Sequence, residues 1–393
     1  MPSEGYNPAL GRQIRLECAR AACGLLIGLV LVYGARAEDP LYYAGWTVGA
    51  SWNGYGTILR SADSGATWSR QGFGQLANVG LSSVSAVNPN TAWVVGDASD
   101  GYDTIYHTSN GGSTWTRMGS AADIPDGGLN KVYALDDGHV WAVGAGTILH
   151  TTDGGVTWTN LIPAGYESTH LQGVYALDTT NIWVTGGPNA GYATLLKSSD
   201  AGESWSRQSG GDVTNANHLL GISAADAQTA WAVGGTGDRY IALRTTDGGT
   251  TWNGQAGVIG TYDANEICAV STAVVWAACD RSLYRSTDGG ASWGGHWAGD
   301  YTVGISAVND QEAWAARSLY NGTIYHTTDG GTDWTQINQL GGEDLPGLKA
   351  VSFASQAIPE PSSVLLIAAG LLILAPLVAR RRASISRCSS MGV

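Results

Sequence analysis

The sequence predicts an all-β protein: a single seven-bladed β-propeller of four-stranded antiparallel blades. Three observations predict this fold. An eight-residue motif, Ser/Thr-x-Asp-x-Gly-x-Thr/Ser-Trp, occurs seven times. Its copies stand 41 to 47 residues apart, which is the period of a four-stranded propeller blade. The segments between the copies are rich in Gly and alternate with period two, which favours strands over the helices of a solenoid.

The composition fits many short strands and tight turns. The 393 residues include 56 Gly, 16 Trp and 17 Tyr but only 2 Phe, and 13% are charged. The formal net charge of −13 argues against a nucleic-acid partner, because phosphate binding needs a basic face. It also excludes a polybasic module of the kind that binds membrane surfaces.

The repeated motif, called the Asp box below, is expected to form the turn between the third and fourth strands of each blade. Its Asp should accept backbone N–H bonds, its Gly should take a conformation closed to other residues, and its Trp should pack between blades. This structural role is favoured over a metal-binding or catalytic one. Two copies depart at one position, where Asn110 replaces Asp and Asp333 replaces Thr or Ser. The third positions of the boxes are Asp63, Asn110, Asp153, Asp200, Asp247, Asp288 and Asp329.

Two further series place the other strands and predict how the ring closes. A Trp opens the second strand of each blade, at Trp46, Trp93, Trp141, Trp183, Trp231, Trp276 and Trp314. The segments predicted to be innermost strands lie before the strands that these tryptophans open. The first such segment comes only after the first Asp box, and the last, residues 348–354, comes after the last Asp box. Residues 41–71 therefore lack an innermost strand, and pairing them with residues 348–354 closes the ring and removes exposed sheet edges. The propeller is then one domain, residues 38–357.

A basic residue stands immediately before every Asp box. Such regularity favours a repeated structural contact, such as stacking on a Trp or covering apolar surface, over a functional basic ring. The three histidines of the series fall in different blades, so they do not form a metal triad. The series is Arg60, His107, His150, Lys197, Arg244, Arg285 and His326.

Residues 1–37 are predicted to be a secretory signal peptide. Three arginines precede an apolar run from Ala21 to Tyr33, and Ala35 and Ala37 supply the small residues that a signal peptidase accepts. The alternative is an uncleaved membrane anchor, although the run is shorter than the ~20 residues that a span needs.

Residues 358–393 resemble the PEP-CTERM sorting tail of exported Gram-negative proteins. A Pro-Glu-Pro triplet, a marginal transmembrane segment at 363–379 and an arginine cluster follow one another in that order. The resemblance implies cleavage by an exosortase and delivery to the cell surface or an exopolysaccharide matrix. The alternative is a plain C-terminal anchor. The residues that carry the resemblance are Pro359, Glu360, Pro361, Arg380, Arg381 and Arg382.

The body of the chain resembles the photosystem II stability and assembly factor family of seven-bladed propellers. The pattern Trp-x-Val-Gly-x-x-Gly-Thr-Ile-Leu-His-Thr-Thr-Asp-Gly-Gly-x-Thr-Trp, from Trp141 to Trp158, carries this resemblance. It implies a non-enzymatic chaperone or scaffold that binds a protein partner. Asp boxes also occur in sialidases, sortilin-type receptors and xyloglucan-cleaving hydrolases, and a glycoside hydrolase needs two placed carboxylates.

A ligand-binding face is predicted on the loops that join strand two to strand three and strand four to the next blade. Aromatic side chains there can stack on sugar rings or anchor a protein interface. The alternative is that they cap the blade ends and pack locally. The candidates are Trp52, Tyr55, Tyr102, Tyr166, Tyr192, Tyr262, Trp297 and Tyr301.

Two further sites are weaker hypotheses. Asp97, Asp100 and Asp103 place three carboxylates on one Gly-containing turn, which suits Ca²⁺ or simply forms a solvated acidic loop. Cys268 and Cys279 fall on successive strands of one predicted hairpin and are either bonded or free, since cross-strand disulfide geometry is restrictive. No other metal or cofactor is expected.

The sequence therefore predicts an exported, non-catalytic binding or scaffold protein of the cell surface or exopolysaccharide matrix. Its partners would be signal peptidase and exosortase during export, the membrane through the C-terminal helix before processing, and then a polysaccharide or protein ligand. The alternatives are an assembly factor like those of photosystem II and a glycan hydrolase of the Asp-box type.

Overall fold

The computed structural model describes residues 43–77, 79–236, 240–255, 264–279, 281–298, 301–318, 322–337 and 346–355. The predicted signal peptide and sorting tail lie outside these residues. No helix in the described ranges has the length and apolar character needed to cross a membrane.

The described chain forms 28 strands in seven four-stranded antiparallel sheets, one for each blade, which confirms the predicted fold class. Blade 1 takes β1 (Tyr43–Trp52), β2 (Tyr55–Ser61) and β3 (Ser69–Gln71). Blade 2 is β4 (Leu81–Ala86), β5 (Ala92–Ser99), β6 (Tyr102–Thr108) and β7 (Thr116–Arg117). Blade 3 is β8 (Leu129–Ala134), β9 (Val140–Gly144), β10 (Thr147–Thr151) and β11 (Thr159–Asn160). Blade 4 is β12 (Leu171–Ala176), β13 (Ile182–Asn189), β14 (Tyr192–Ser198) and β15 (Ser206–Arg207).

The remaining blades repeat the same order from the inside outwards. Blade 5 is β16 (His218–Ala224), β17 (Ala230–Gly235), β18 (Tyr240–Thr245) and β19 (Asn253–Gly254), preceded by a 3-10 turn at Asp212–Asn215. Blade 6 is β20 (Ala264–Ala269), β21 (Val275–Cys279), β22 (Ser282–Ser286) and β23 (Gly294–Ala298). Blade 7 is β24 (Thr302–Ala307), β25 (Ala313–Arg317), β26 (Thr323–Thr327) and β27 (Thr335–Ile337). The last strand is β28 (Leu348–Ser355).

The ring closes as predicted, because β28 is the innermost strand of blade 1. It pairs antiparallel with β1 from Tyr43 opposite Ser355 to Gly49 opposite Leu348. The hydroxyl of Thr47 adds a buried hydrogen bond of 2.6 Å to the carbonyl oxygen of Ala350. The two ends of the propeller are therefore joined in one sheet.

Each Asp box is a self-contained hydrogen-bonded turn between the third and fourth strands of its blade. In blade 1, Asp63 accepts the backbone N–H of Thr67 at 2.9 Å and its hydroxyl at 2.6 Å. The Ser61 hydroxyl donates to Asp63 at 2.8 Å and accepts the N–H of Gly65, which has a φ of +85°. In the second box, Asn110 keeps both bonds, with its Oδ1 accepting from the N–H of Thr114 and its Nδ2 donating to the hydroxyl. Substituting Asn for Asp therefore preserves the turn.

These hydrogen bonds lower the pKa of the box carboxylates. The backbone N–H and hydroxyl of the residue four positions later hold the pKa of Asp153, Asp247 and Asp288 at about 2. A carboxyl whose pKa is lowered by folding stabilises the fold above its unfolded value near 3.9, and that contribution is lost as the pH falls through the folded value. We expect the melting temperature to be insensitive to these groups above pH ~4.5 and to fall between about pH 4 and 2.

The control for this acid sensitivity is a triple variant, Asp153→Asn, Asp247→Asn and Asp288→Asn, measured by thermal unfolding at pH 2–7. Since Asn110 already fits its box, the variant should fold and show a shallower acid-induced fall than the wild type. An unchanged pH profile would mean that other carboxylates govern acid unfolding.

The basic residue before each box stacks on the Trp of the neighbouring strand in the same blade. The His150 ring lies 4.3 Å from that of Trp141 with a 9° interplanar angle. Burial lowers the pKa of His150 to about 4, so the ring is neutral at pH 7 and stacks as an aromatic. The cations Arg60, Lys197, Arg244 and Arg285 lie 4.6–5.5 Å from the ring centroids of Trp46, Trp183, Trp231 and Trp276.

Several of the same Trp and basic residues also form hydrogen bonds between neighbouring blades. Arg60 donates to the carbonyl oxygen of Pro89 in blade 2 at 2.9 Å, and Lys197 donates to Gly248 in blade 5 at 2.6 Å. The indole of Trp231 donates to Gly289 in blade 6 at 3.0 Å. The basic series is therefore structural, and the core of the protein lies between neighbouring blades.

Candidate ligand-binding face

The hairpins between the second and third strands mark one end of the blades, and the Asp boxes mark the other. In blade 1, β2 starts at Tyr55 beside the hairpin that follows Trp52, and it ends at Ser61 where the Asp box begins. Irregular loops on a regular scaffold are the usual place for binding residues. The hairpin end is therefore the candidate binding face.

Most of the predicted aromatic residues pack against their own blades at this end. Trp52, Tyr55, Tyr102, Tyr166 and Tyr192 are half-buried, and Tyr301 is 38% exposed. Tyr262 lies outside the described residues, as does the side chain of Trp297, whose backbone pairs with Leu283 in blade 6.

Arginines that the sequence analysis missed organise these aromatics. Arg70, Arg117 and Arg207 each come two residues after the Trp of an Asp box, and the signal that could have found them is the tripeptide Trp-Ser/Thr-Arg in three of the seven repeats. The guanidinium of Arg117 lies 3.7 Å from the ring of Tyr102, and that of Arg207 lies 4.0 Å from Tyr192.

These arginines also bind the hairpins themselves. Arg117 donates to the carbonyl oxygens of Ser99 and Tyr102 and pairs with Asp100 at 3.1 Å. Arg207 donates in the same way to Asn189 and Tyr192. In blades 2 and 4, the arginine therefore holds the hairpin in place, and the aromatic ring covers it.

In blade 1, Arg70 likewise donates to the hairpin, to the carbonyl oxygen of Trp52 at 3.1 Å, but it also lies against an exposed aromatic residue. The Arg70 guanidinium is 4.5 Å from the Trp52 ring and 4.7 Å from the Phe73 ring. The Tyr55 ring contacts the Phe73 ring, and their centroids are 4.9 Å apart. Phe73 is 63% exposed, which is unusual for a phenylalanine. We call Trp52, Tyr55, Arg70 and Phe73 the aromatic platform.

The loop that carries Phe73 is a hydrogen-bonded turn. Gly72 and Gly74 on either side have φ angles of +63° and +84°, and the carbonyl oxygen of Gly72 accepts the N–H of Gln75 at 2.9 Å. Leu76 is completely buried and anchors the loop beneath. Phe73 therefore faces solvent from a turn that is closed by this hydrogen bond and anchored by Leu76.

The corresponding loop of blade 2 shows that this exposure is not required by the fold. There Gly119 takes a φ of +70° and Ile124 is buried in the same way as Leu76. The residue after the glycine is Ser120 instead of Phe73. The repeat thus accepts a polar residue at this position, and blade 1 departs from it with an exposed ring.

The structure does not bring together the three carboxylates of the hypothetical Ca²⁺ site. Asp103 is buried and accepts the N–H groups of Gly127 and Gly128, while Asp100 pairs with Arg117 and Asp97 is exposed. No group of three or more His, Cys, Asp or Glu in the described part of the chain is arranged to hold a metal ion. The carboxylates diverge because Asp103 lies at the start of β6 and points into the loop from blade 2 to blade 3.

Of the two alternatives left open for Cys268 and Cys279, the structure excludes a disulfide between them, because the hairpin register separates the two residues. Cys268 lies opposite Trp276, and Cys279 lies opposite Ala264. At ~3.3 Å of rise per residue this offset is about 10 Å along the strands, too far for a disulfide. The two thiols are not bonded to each other.

Residues 42–169 match the family model of the photosynthesis system II assembly factor YCF48. The match contains the Trp141–Trp158 pattern and confirms the predicted resemblance. A comparison with curated proteins finds no significant match.

Among solved structures, YCF48 bound to D1 peptide is similar at 18% identity and a TM-score of 0.52, covering 73% of this chain and 88% of that one. A Lactobacillus plantarum protein is 13% identical with a TM-score of 0.59, covering 80% and 100%. An ancestral GH74 enzyme is 12% identical with a TM-score of 0.50, covering 70% and 38%. These likenesses show the propeller fold.

Proposed function

We propose that this protein is an exported, non-catalytic propeller that binds an extended protein segment on its aromatic platform. The observation that carries the proposal is the exposed ring of Phe73, which lies on a hydrogen-bonded turn beside Arg70 and Tyr55. The occupant would be a segment with an aromatic or branched apolar side chain.

The physics of interfaces supports this assignment. Binding energy concentrates in a few aromatic and arginine anchors, and anchors that are already ordered lose little conformational entropy on binding. Phe73 cannot be explained by burial, since most of its ring faces water. The YCF48 structure with a bound D1 peptide gives a precedent in the same fold for a peptide ligand.

The described carboxylates favour binding over glycoside hydrolysis. A glycosidase needs an acid of raised pKa and a second carboxylate in one cleft. Burial raises the pKa of Asp103, but this side chain is only 1% exposed and is held by the N–H groups of Gly127 and Gly128. The box carboxylates are ionised at neutral pH and are engaged in their own turns.

We also propose that the protein is exported and sorted through its terminal sequences. The support is the order of basic, apolar and small residues within 1–37 and of Pro-Glu-Pro, apolar run and Arg cluster within 358–393. Mass spectrometry of the chain recovered outside a Gram-negative host with an exosortase should show new termini near residues 38 and 358.

The binding proposal is tested with peptide and polysaccharide arrays probed with the purified full chain. The substitution is Phe73→Ser, the residue type found in blade 2. Val156→Ser is the matched control, since Val156 is 71% exposed but lies in the blade 3 Asp box at the opposite end. We expect peptides with aromatic or apolar residues to bind and Phe73→Ser to weaken that binding at least tenfold, with the control unchanged.

Three results would overturn the proposal. Binding that Phe73→Ser leaves intact would move the site elsewhere, binding to polysaccharides alone would make the platform a sugar site, and release of reducing sugar would make the protein a hydrolase.

A further inference from the structure

A second candidate site lies on the propeller axis, away from the aromatic platform. The innermost strands of all seven blades line a cavity of about 140 Å³ there. Lys131 on β8 of blade 3 and Glu266 on β20 of blade 6 reach towards each other across this channel and form an ion pair. Their side chains are 22% and 16% exposed, so solvent reaches the pair.

The ion pair occupies inner-strand positions of only two of the seven blades. The equivalent inner-strand positions of blades 4, 5, 7 and 1 are small, namely Gly173, Gly221, Gly304 and Ala350. Apolar residues of similar volume usually replace a largely buried ion pair without loss of stability. The two charges are therefore poorly explained as packing.

A belt of hydroxyl and thiol groups surrounds the channel two residues further along each inner strand. Four serines of this belt accept an N–H from the inner strand of the next blade, at 3.0–3.1 Å. Since a hydroxyl that accepts in this way keeps its own proton as a donor, these groups can also serve a ligand in the channel. The belt is Ser85, Tyr133, Tyr175, Ser223, Cys268, Ser306 and Ser352.

From this arrangement we propose that the channel binds a small zwitterion of the size of a free α-amino acid. Its carboxylate would replace Glu266 as the partner of Lys131, and its ammonium group would pair with Glu266. A ligand that carries both charges leaves neither protein charge unpaired, whereas a simple anion or cation would strand one of them. A cavity of about 150 Å³ accommodates benzene, and the smallest amino acids have about as many non-hydrogen atoms.

The test is isothermal titration of the purified full chain with glycine and L-alanine. Acetate and methylammonium, each carrying one of the two charges, are the matched control ligands. We expect saturable binding of the amino acids, at least tenfold tighter than of either control.

The double substitution Lys131→Met and Glu266→Leu should abolish amino-acid binding while leaving thermal stability equal or higher. Both residues are replaced together because a single substitution would leave an unpaired charge in the channel. Three results would each overturn the proposal. Acetate could bind as tightly as glycine, no ligand could bind, or the double variant could bind amino acids as well as the wild type. The peptide array reads the platform alone, so the two proposals fail independently.

Discussion

Trp314→Ala is expected to lower the free energy of unfolding by about 3–5 kcal/mol, the range for truncating a buried Phe or Trp side chain. Trp314 is completely buried, and its indole is sandwiched between the ring of Phe353 at 3.7 Å and that of His326 at 4.6 Å. Its Nε1 donates to the carbonyl oxygen of Ser64 at 3.1 Å. One side chain thus joins blade 7 to both the closing strand and the first Asp box.

The matched comparison is Trp141→Ala, at the same position of blade 3. Trp141 is also fully buried, but it stacks on His150 within its own blade. The extra ring contact and the Ser64 hydrogen bond should make Trp314→Ala costlier by about 1–2 kcal/mol. Guanidinium unfolding followed by tryptophan fluorescence measures the free energy of unfolding of both variants. Val156→Ala is a neutral surface control. Equal losses for the two tryptophans would show that the junction between first and last blades is not specially stabilised.

Gly45→Ala is expected to destabilise the protein by about 1–3 kcal/mol through overpacking. A Cβ at Gly45 would overlap the ring of Phe353, 2.7 Å from its Cδ1 and closer to two further atoms. The ring cannot move aside, because it is stacked on Trp314 and packed edge-on against Trp68.

The other blades show how this overpacking can be relieved. In each of blades 2–7 the residue paired with the Gly45 position is an alanine, for example Ala134 opposite Val140 and Ala176 opposite Ile182. Only at the closure does a phenylalanine face a glycine. A double-mutant cycle of Gly45→Ala with Phe353→Ala should therefore show a coupling of about 1 kcal/mol or more. Gly187→Ala, where a Cβ meets nothing closer than 3.6 Å, is the control and should be neutral. Additive losses in the cycle would mean that the two residues do not compensate each other's volume.

The strands and turns that recur in every repeat could be predicted from the sequence. The seven Asp boxes and the seven strand-opening tryptophans set blade number and strand order, and the offset of residues 348–354 set the closure. These features are predictable because each depends on local turn chemistry that recurs seven times.

What could not be predicted depends on contacts that occur once. Two of these contacts join residues that are far apart in the sequence, namely Gly45 with Phe353 and Lys131 with Glu266. The Phe73 loop is a single departure from the repeat. The disulfide hypothesis failed because it placed Cys268 and Cys279 on the correct hairpin without its register. The metal hypothesis failed because the sequence does not show that Asp103 points inward.

The position of β28 also determines when the molecule can finish folding. The hydrogen bond between Thr47 and Ala350 spans 303 residues. At ~5–20 residues per second, synthesis would leave β1 waiting about 15–60 s for its inner partner. Contacts of such long sequence separation also form slowly once both ends are present. Until β28 arrives, blade 1 has no inner strand and the ring stays open, so the inner edge of β1 keeps its backbone hydrogen-bonding groups unpaired until synthesis is nearly complete.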